Sequence, residues 1–366
     1  MKTVADPLLQ KTTSERLHYA TGELLGADDF RDEQTYHRRQ LAHALLFLNG
    51  SGTLAGLRVV ARPRRGHGYL SNGAFAIGDT AITVDAGSGM MLAGDVITFA
   101  GDTSNYPVAR ALASNVVTIA GPGLRAPLAD NTAITVTVST PDEVHLEVRP
   151  GLALDRAGRL IEVPREACLR LRRWFEFIAS QLPDSTLPDV GDLRAAFHAG
   201  AVVADVFLAF HPCDRGYTPA FASGPFDALD ASQPSRVRDA YELSLVLRTE
   251  DNPPIAFDPW LSIQTAADRG LAAQEASLDA WDALALPAPG NVGDWHENPA
   301  GIDPTAVLLA RLRIPATLPA NPASAPVPDW SAATWAGDAS GGNPNLRNDV
   351  RNFILPPAAI RRMAGV

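Results

Sequence analysis

Three groups of side chains have the types and spacing that chemistry could use. Asp28, Asp29, Asp32 and Glu33 crowd into one short stretch, and a carboxylate pair is what glycoside hydrolysis requires. Acids in the first turn of a helix also answer the helix dipole, which explains all four without a substrate. His18, His37 and His43 are the second group. Metal ligands must converge, and positions six apart are separated by about 600° of helical turn, so a polar surface role fits His37 and His43 better. Cys213, in His211-Pro212-Cys213-Asp214-Arg215, has a nearby histidine and arginine of the kind that could activate a thiol, but no nucleophile signature surrounds it.

The longer motifs of catalysis are missing from the chain. It has no G-x-S-x-G elbow, phosphate loop, H-E-x-x-H helix, calcium loop or G-x-G-x-x-G turn. The expectation is a protein without catalytic residues, cofactor or metal, with an envelope-polymer hydrolase at the acidic turn as the one enzymatic version. Cys168 and Cys213 are too few for a disulfide framework or a cysteine zinc site, and whether they pair is open. Trp295, Trp330 and Trp335 could stack on a sugar, or pack an extended arm onto its own or a neighbouring subunit.

Several elements must position these groups. The 366 residues suffice for two or three domains, and 29 Gly with 29 Pro point to many turns. A net charge of −10 offers no general attraction to phosphate backbones, so nucleic acid is not an expected partner. All but Lys2 and Lys11 of the 31 basic residues are arginines scattered among acids, a bias expected of a GC-rich genome. The start lacks a signal peptide's apolar run and nothing approaches a membrane span, so synthesis in a bacterial cytoplasm without membrane insertion is expected.

After an arm at 1–14, Phe30, His37, Leu41, Leu45 and Leu48 form one stripe of a helix over about 28–48, closed by Gly50. GLRVVA at 56–61 reads as a strand, and 144–163 as strands turned at Pro150-Gly151 and Asp155–Gly158. Between them, AITVDA at 81–86, DVITFAG at 95–101, NVVTIAG at 115–121 and AITVTVS at 133–139 have the rhythm of a small sandwich or barrel. Helices are predicted over 165–182, 189–199 and 259–284, strands over 202–210, 241–248 and 307–314, and a short helix after Pro356-Pro357.

The predicted fold is α+β and multi-domain. An N-terminal domain (15–69 and 141–182) packs its long helix on a small antiparallel sheet, an all-β module at 70–140 interrupts it, and an α+β domain (183–314) leads into a Pro/Gly-rich arm and short helix (315–366).

The order of motifs adds a resemblance. Tyr19, Gly22, Leu24, Leu25, Asp28 and Phe30 lie in YATGELLGADDF, Gly56 in GTLAGLRV, and Pro150, Gly151, Asp155 and Gly158 in VRPGLALDRAGRLIEV. Together with PSRVRDAYEL at 234–243 and VRNFILP at 350–356, these resemble a structural family of phage tails and contractile injection systems. The 70–140 module separates two segments that are usually closer, and its own text resembles a β-rich segment of phage virion proteins.

The resemblance implies a non-enzymatic particle component at the baseplate or fibre attachments, oligomeric, docking on other baseplate, tube, sheath or fibre subunits. It carries no catalytic residues. The alternative is a module that binds a cell-surface glycan or receptor through 70–140. Leu8, Leu9, Trp330, Trp335, Phe353 and Leu355 are the expected interface residues, because large apolar side chains on polar, aperiodic ends suit docking peptides. Those ends are expected to be mobile until docked.

Overall fold

The computed structural model describes residues 6–10, 16–22, 24–63, 68–85, 87, 91–113, 115–137, 144–183, 186–219, 232–256, 263, 267–284, 297–299, 302–331, 334–335 and 343–363. Trp295 and most of the 1–14 arm lie outside them, as does the predicted start of the 259–284 helix apart from residue 263.

A short α1 (Pro7–Gln10) precedes α2 (Ala27–Asn49), close to the predicted span. The Gly26 N–H donates to the Asp29 carboxylate at 2.7 Å, and Gly50 ends the helix at φ 73° with its N–H on the Leu46 carbonyl. The face α2 buries is not the predicted one. Thr35, Ala42 and Leu46 are covered, while Phe30, Leu41 and Leu48 are exposed. The small Ala42 lets a turn pack against the helix backbone, which the bulkier stripe would have held off.

Strands β1 (Gly52–Gly56) and β2 (Val59–Pro63) follow. The chain then builds β3 (Gly68–Ser71), β4 (Ala81–Asp85), β5 (Val96–Phe99), β6 (Tyr106–Ala113), β7 (Val116–Ile119) and β8 (Ala133–Thr137). These close into an antiparallel barrel in the order β3-β4-β7-β6-β5-β8. Alternation points Ile82, Val84, Ile97, Phe99, Val117, Ile119, Ile134 and Val136 inward. Tyr106 lies edge-on to Phe99, donates from its hydroxyl to Asp102 at 2.5 Å, and accepts the Arg125 N–H at 3.0 Å. Strand β9 (Val144–Val148) returns antiparallel to β2, with Val144 opposite Pro63. The barrel therefore leaves and rejoins at neighbouring strand ends, where an insertion costs little loop entropy.

Strands β10 (Gly151–Leu154) and β11 (Leu160–Val163) complete a sheet with β1. Residues 167–170, predicted helical, instead form β12 (Ala167–Arg170) on the free edge of β9. The helix starts only at α3 (Leu171–Ala179), which buries Leu171, Phe175 and Ile178. Here an open strand edge outweighs helix propensity.

Next come α4 (Val190–Ala195), β13 (Phe197–His198), β14 (Ala201–Pro219), β15 (Ser232–Leu247), α5 (Arg269–Leu284), β16 (Val307–Thr317), β17 (Val327–Pro328), β18 (Leu346–Arg347) and α6 (Pro357–Met363). The sheet runs β13-β14-β16-β17, with β15 on β14 and β18 on β16. The β14–β15 hairpin outruns both predicted strands, pairing from Ala204–Leu247 out to Pro219–Ser232. Beyond the buried Pro212 and Cys213 the hairpin leaves the core: Arg215, Gly216 and Thr218 are exposed, as are residues 234–239 of β15.

One buried cluster joins Leu57, Val148, Ile161, Phe175, Leu193, Val206, Leu309 and Trp335, so the main core runs across position 182. The barrel has a core of its own. Trp335, expected on a mobile docking arm, is fully buried. Its indole N–H donates to the Asp329 carbonyl at 2.8 Å, and its ring stacks on Trp330, which meets Phe175 edge-on. The 315–346 segment supplies the last large side chains of the chain's own core.

Candidate functional site

Three of the motif segments, those around Gly56, Asp155 and Asn352, converge on a joint between early and late parts of the chain. At the end of β10, the Asp155 carboxylate accepts the Ala157 N–H at 2.9 Å, the Arg159 N–H at 2.8 Å and Arg159 Nε at 2.7 Å. Gly158 completes the turn at φ 74°, where an added Cβ would stand 2.1 Å from the Ala42 carbonyl of α2. The other Arg159 nitrogens reach Asp6 at 3.1 Å and Thr305 Oγ1 at 2.8 Å, and the guanidinium lies 4.6 Å from the Phe210 ring centre. Asp6, Asp155, Arg159 and Thr305 are all buried. Burial pushes the Asp155 carboxyl up to about 6, against the opposing pull of Arg159 and the turn amides. Burial also works to lower the Arg159 pKa, but Asp155 and Asp6 outweigh it and leave the guanidinium above its ordinary value.

The C-terminal motif closes the same joint from the other side. Asn348 accepts the Val59 N–H and donates to the Val59 carbonyl, both at 3.0 Å, as a side-chain imitation of strand pairing. Arg351 donates to the Leu57 carbonyl at 2.7 Å. Burial, helped by Arg58, lowers the Arg351 pKa to about 10. The Thr53 N–H meets the Asn352 carbonyl at 2.8 Å, so close that a Cβ on Gly52 would stand 2.6 Å from that oxygen. Gly56 faces the Pro150 carbonyl in the same way, with 2.1 Å left for a Cβ.

Nearby, Asp205 accepts from Arg311 Nε at 2.8 Å and Nη2 at 2.9 Å, and lies 3.3 Å from Arg248 Nη1. Burial raises the Asp205 pKa, against the pull of Arg311 and Arg248. Arg156 is paired with Glu297 over a crevice bounded by Ser51, Gly52, Val307 and Asn352. That crevice has about 10 Å³ of free volume, room for one water. The joint's carboxylates are committed to arginines, so its chemistry is that of holding segments together.

The remaining predicted residues are placed variously. The Tyr19 hydroxyl donates to Glu33, while Leu24 and Phe30 are exposed and Leu25 is half-buried. Leu8 is half-buried and Leu9 exposed. Phe353 and Leu355 are exposed, Phe353 beneath the Arg351 guanidinium and bridged to Thr53. Among the described residues no three His, Cys, Asp or Glu side chains gather as metal ligands, and no helix is long and apolar enough to cross a membrane.

Both cysteines are free thiols. Cys213 is buried, with its Sγ 3.7 Å from the Arg238 carbonyl. Cys168 is the exposed one, and its Sγ lies 3.1 Å from His145 Nδ1. An imidazole at that distance can accept the thiol proton and leave a nucleophilic sulfur. Only the pairing of β12 with β9 brings the two together, so no local motif announces them. Beside them burial raises the Glu147 pKa, against the pull of Arg62, its ion-pair partner.

Compared with protein-family models, curated proteins and solved structures, this chain matches none.

Proposed function

We propose that this protein is a structural, non-enzymatic component of a phage tail or contractile injection particle, acting by docking at the baseplate or fibre attachments. The observation that carries the reading is the outer half of the β14–β15 hairpin. Residues 234–237, within the segment that resembles the particle family, are exposed on the part of the ribbon that has passed the buried Pro212 and Cys213. A two-stranded ribbon is marginal by itself in water, so such an arm suits a neighbouring subunit that covers it. Its exposed Arg236, Val237 and Arg238 offer charge and apolar contact together.

The glycan-binding alternative draws less support. A sugar platform needs exposed aromatic faces; Tyr69, Phe99 and Tyr106 of the barrel are buried, and Phe75 is half-buried against the same core. Electron microscopy of particles carrying a label on this chain tests the proposal. A label at one fixed site and copy number is expected, and its absence from every particle would overturn it. Deleting residues 216–235 should leave the chain folded but outside the particle.

A further inference from the structure

The exposed side of α2 has a period of its own. Phe30, Gln34, His37, Leu41, Ala44 and Leu48 follow one another at alternating steps of four and three residues. That is the a/d spacing of a coiled-coil seam. All six are exposed, Phe30 at 50%, Leu41 at 61% and Leu48 at 81%. The residues α2 buries against its own chain, Thr35, Ala42 and Leu46, lie on the far side of the helix. A 23-residue helix thus presents one face to its own fold and a second, regularly spaced face to solvent.

We infer that this second face pairs with α2 of a second copy of the chain, side by side and parallel. The flanking charges choose the occupant and its direction. With Phe30, His37 and Ala44 at d and Gln34, Leu41 and Leu48 at a, Glu33 falls at g and Arg38 at e. In a parallel pair a g residue meets the e residue five positions on in the partner, which sets Glu33 against Arg38 twice by symmetry. An antiparallel pair centred on the same seam would set the two Arg38 side chains against each other. Arg38 already lies 3.4 Å from Asp6, and Glu33 accepts the Tyr19 hydroxyl. A guanidinium with five donors and a carboxylate with two oxygens retain capacity for an intermolecular pair. Leu41, Ala44, Leu45 and Leu48 concentrate the apolar contact in the C-terminal half, and Gln34 is the kind of polar seam residue that fixes register.

The inference concerns the isolated chain and stands apart from the particle proposal. Sedimentation equilibrium of the full-length protein should show reversible self-association across a wide range of concentration. Leu41→Glu with Leu48→Glu should weaken it about a hundredfold while leaving unchanged the circular dichroism and the Tm measured at concentrations where the wild-type chain is a single copy, because both side chains are exposed there. Glu33→Arg and Arg38→Glu should each weaken association, and the double exchange should restore it. In a Cys168→Ser background, Gln34→Cys should oxidise to a disulfide-linked dimer, which an antiparallel pair would not allow. A monomer at every concentration overturns the inference, as does self-association indifferent to Leu41→Glu with Leu48→Glu.

Discussion

Asp155 and Arg159 face each other across a four-residue turn, with Oδ2 and Nε 2.7 Å apart and both side chains buried. The pair does more than close the turn. Through Asp6 and Thr305, Arg159 ties the N-terminal segment to the residues that precede β16. A motif that reads as a local turn in the sequence is a tether between distant parts of the chain.

Removing the acid should expose what the tether contributes. Asp155→Ala takes the acceptor from three N–H groups and leaves Arg159 buried with only part of its pairing. A loss of about 3–5 kcal/mol in unfolding free energy is expected at neutral pH. Denaturant titration measures it, and a loss under about 1 kcal/mol would show the turn to be dispensable.

Asp155 also predicts a pH dependence. Its folded pKa of about 6 lies above the ordinary 3.8, so the folded state holds the proton more tightly than the unfolded one. The contribution to stability is therefore greatest below the unfolded value and declines as pH rises through the folded one. Relative to Asp155→Asn, which does not titrate, the wild-type protein should lose about 3 kcal/mol of stability between about pH 3.5 and 7, because a tenfold change in proton affinity is worth about 1.4 kcal/mol. Unfolding both proteins across that window decides the sign, and a wild-type advantage that grew with pH would refute it.

Two glycine substitutions separate close packing from backbone strain. Gly121, at φ 85°, has nothing within 4 Å of an added Cβ, so Gly121→Ala should cost about 1 kcal/mol of strain alone. Gly158→Ala adds a collision with the Ala42 carbonyl and should cost about 3 kcal/mol or more. Equal costs at the two positions would mean that α2 yields freely.

Ending the chain at Ala320 removes Trp335, Leu346, Asn348 and Arg351, all of which serve the main body. The body should lose its cooperative transition while the barrel, with a separate core, keeps dispersed NMR resonances. Trp335→Ala alone should cost about 3–5 kcal/mol, the range for deleting a large aromatic from a core. An unchanged melting profile for the truncated chain would return the C-terminal segment to the status of a surface arm.

Under native conditions iodoacetamide should alkylate Cys168 and spare Cys213. His145→Gln should slow the reaction of Cys168, since the imidazole 3.1 Å away is the group placed to take its proton. Mass spectrometry of the modified peptides reads both rates. Equal rates in the two proteins would show the contact to be without effect on the thiol.

The sequence by itself determined the elements whose signals are local. Asp29 and Gly50 bound α2 to within a residue of the predicted span, because they satisfy the helix's own end groups. Four of the barrel's strands are legible from alternation alone, since a period of two already separates inside from outside. The other two, β3 with Gly68 and Ser71 and β6 with its Pro and Arg, show little alternation and are held by their neighbours in the closed ring.

What only the tertiary structure decided depends on partners far away in sequence. α2 carries apolar residues on two sides, and periodicity cannot say which side a distant turn will cover; Gly158 chose Ala42. The fate of 167–170 rested on a vacant edge of β9, and the meeting of His145 with Cys168 on the pairing that filled it. Trp335 lies in an aperiodic, Pro-rich stretch with no local reason to be buried. It is buried because the core made by Phe175, Leu309 and Leu346 takes in an aromatic ring wherever the chain supplies one.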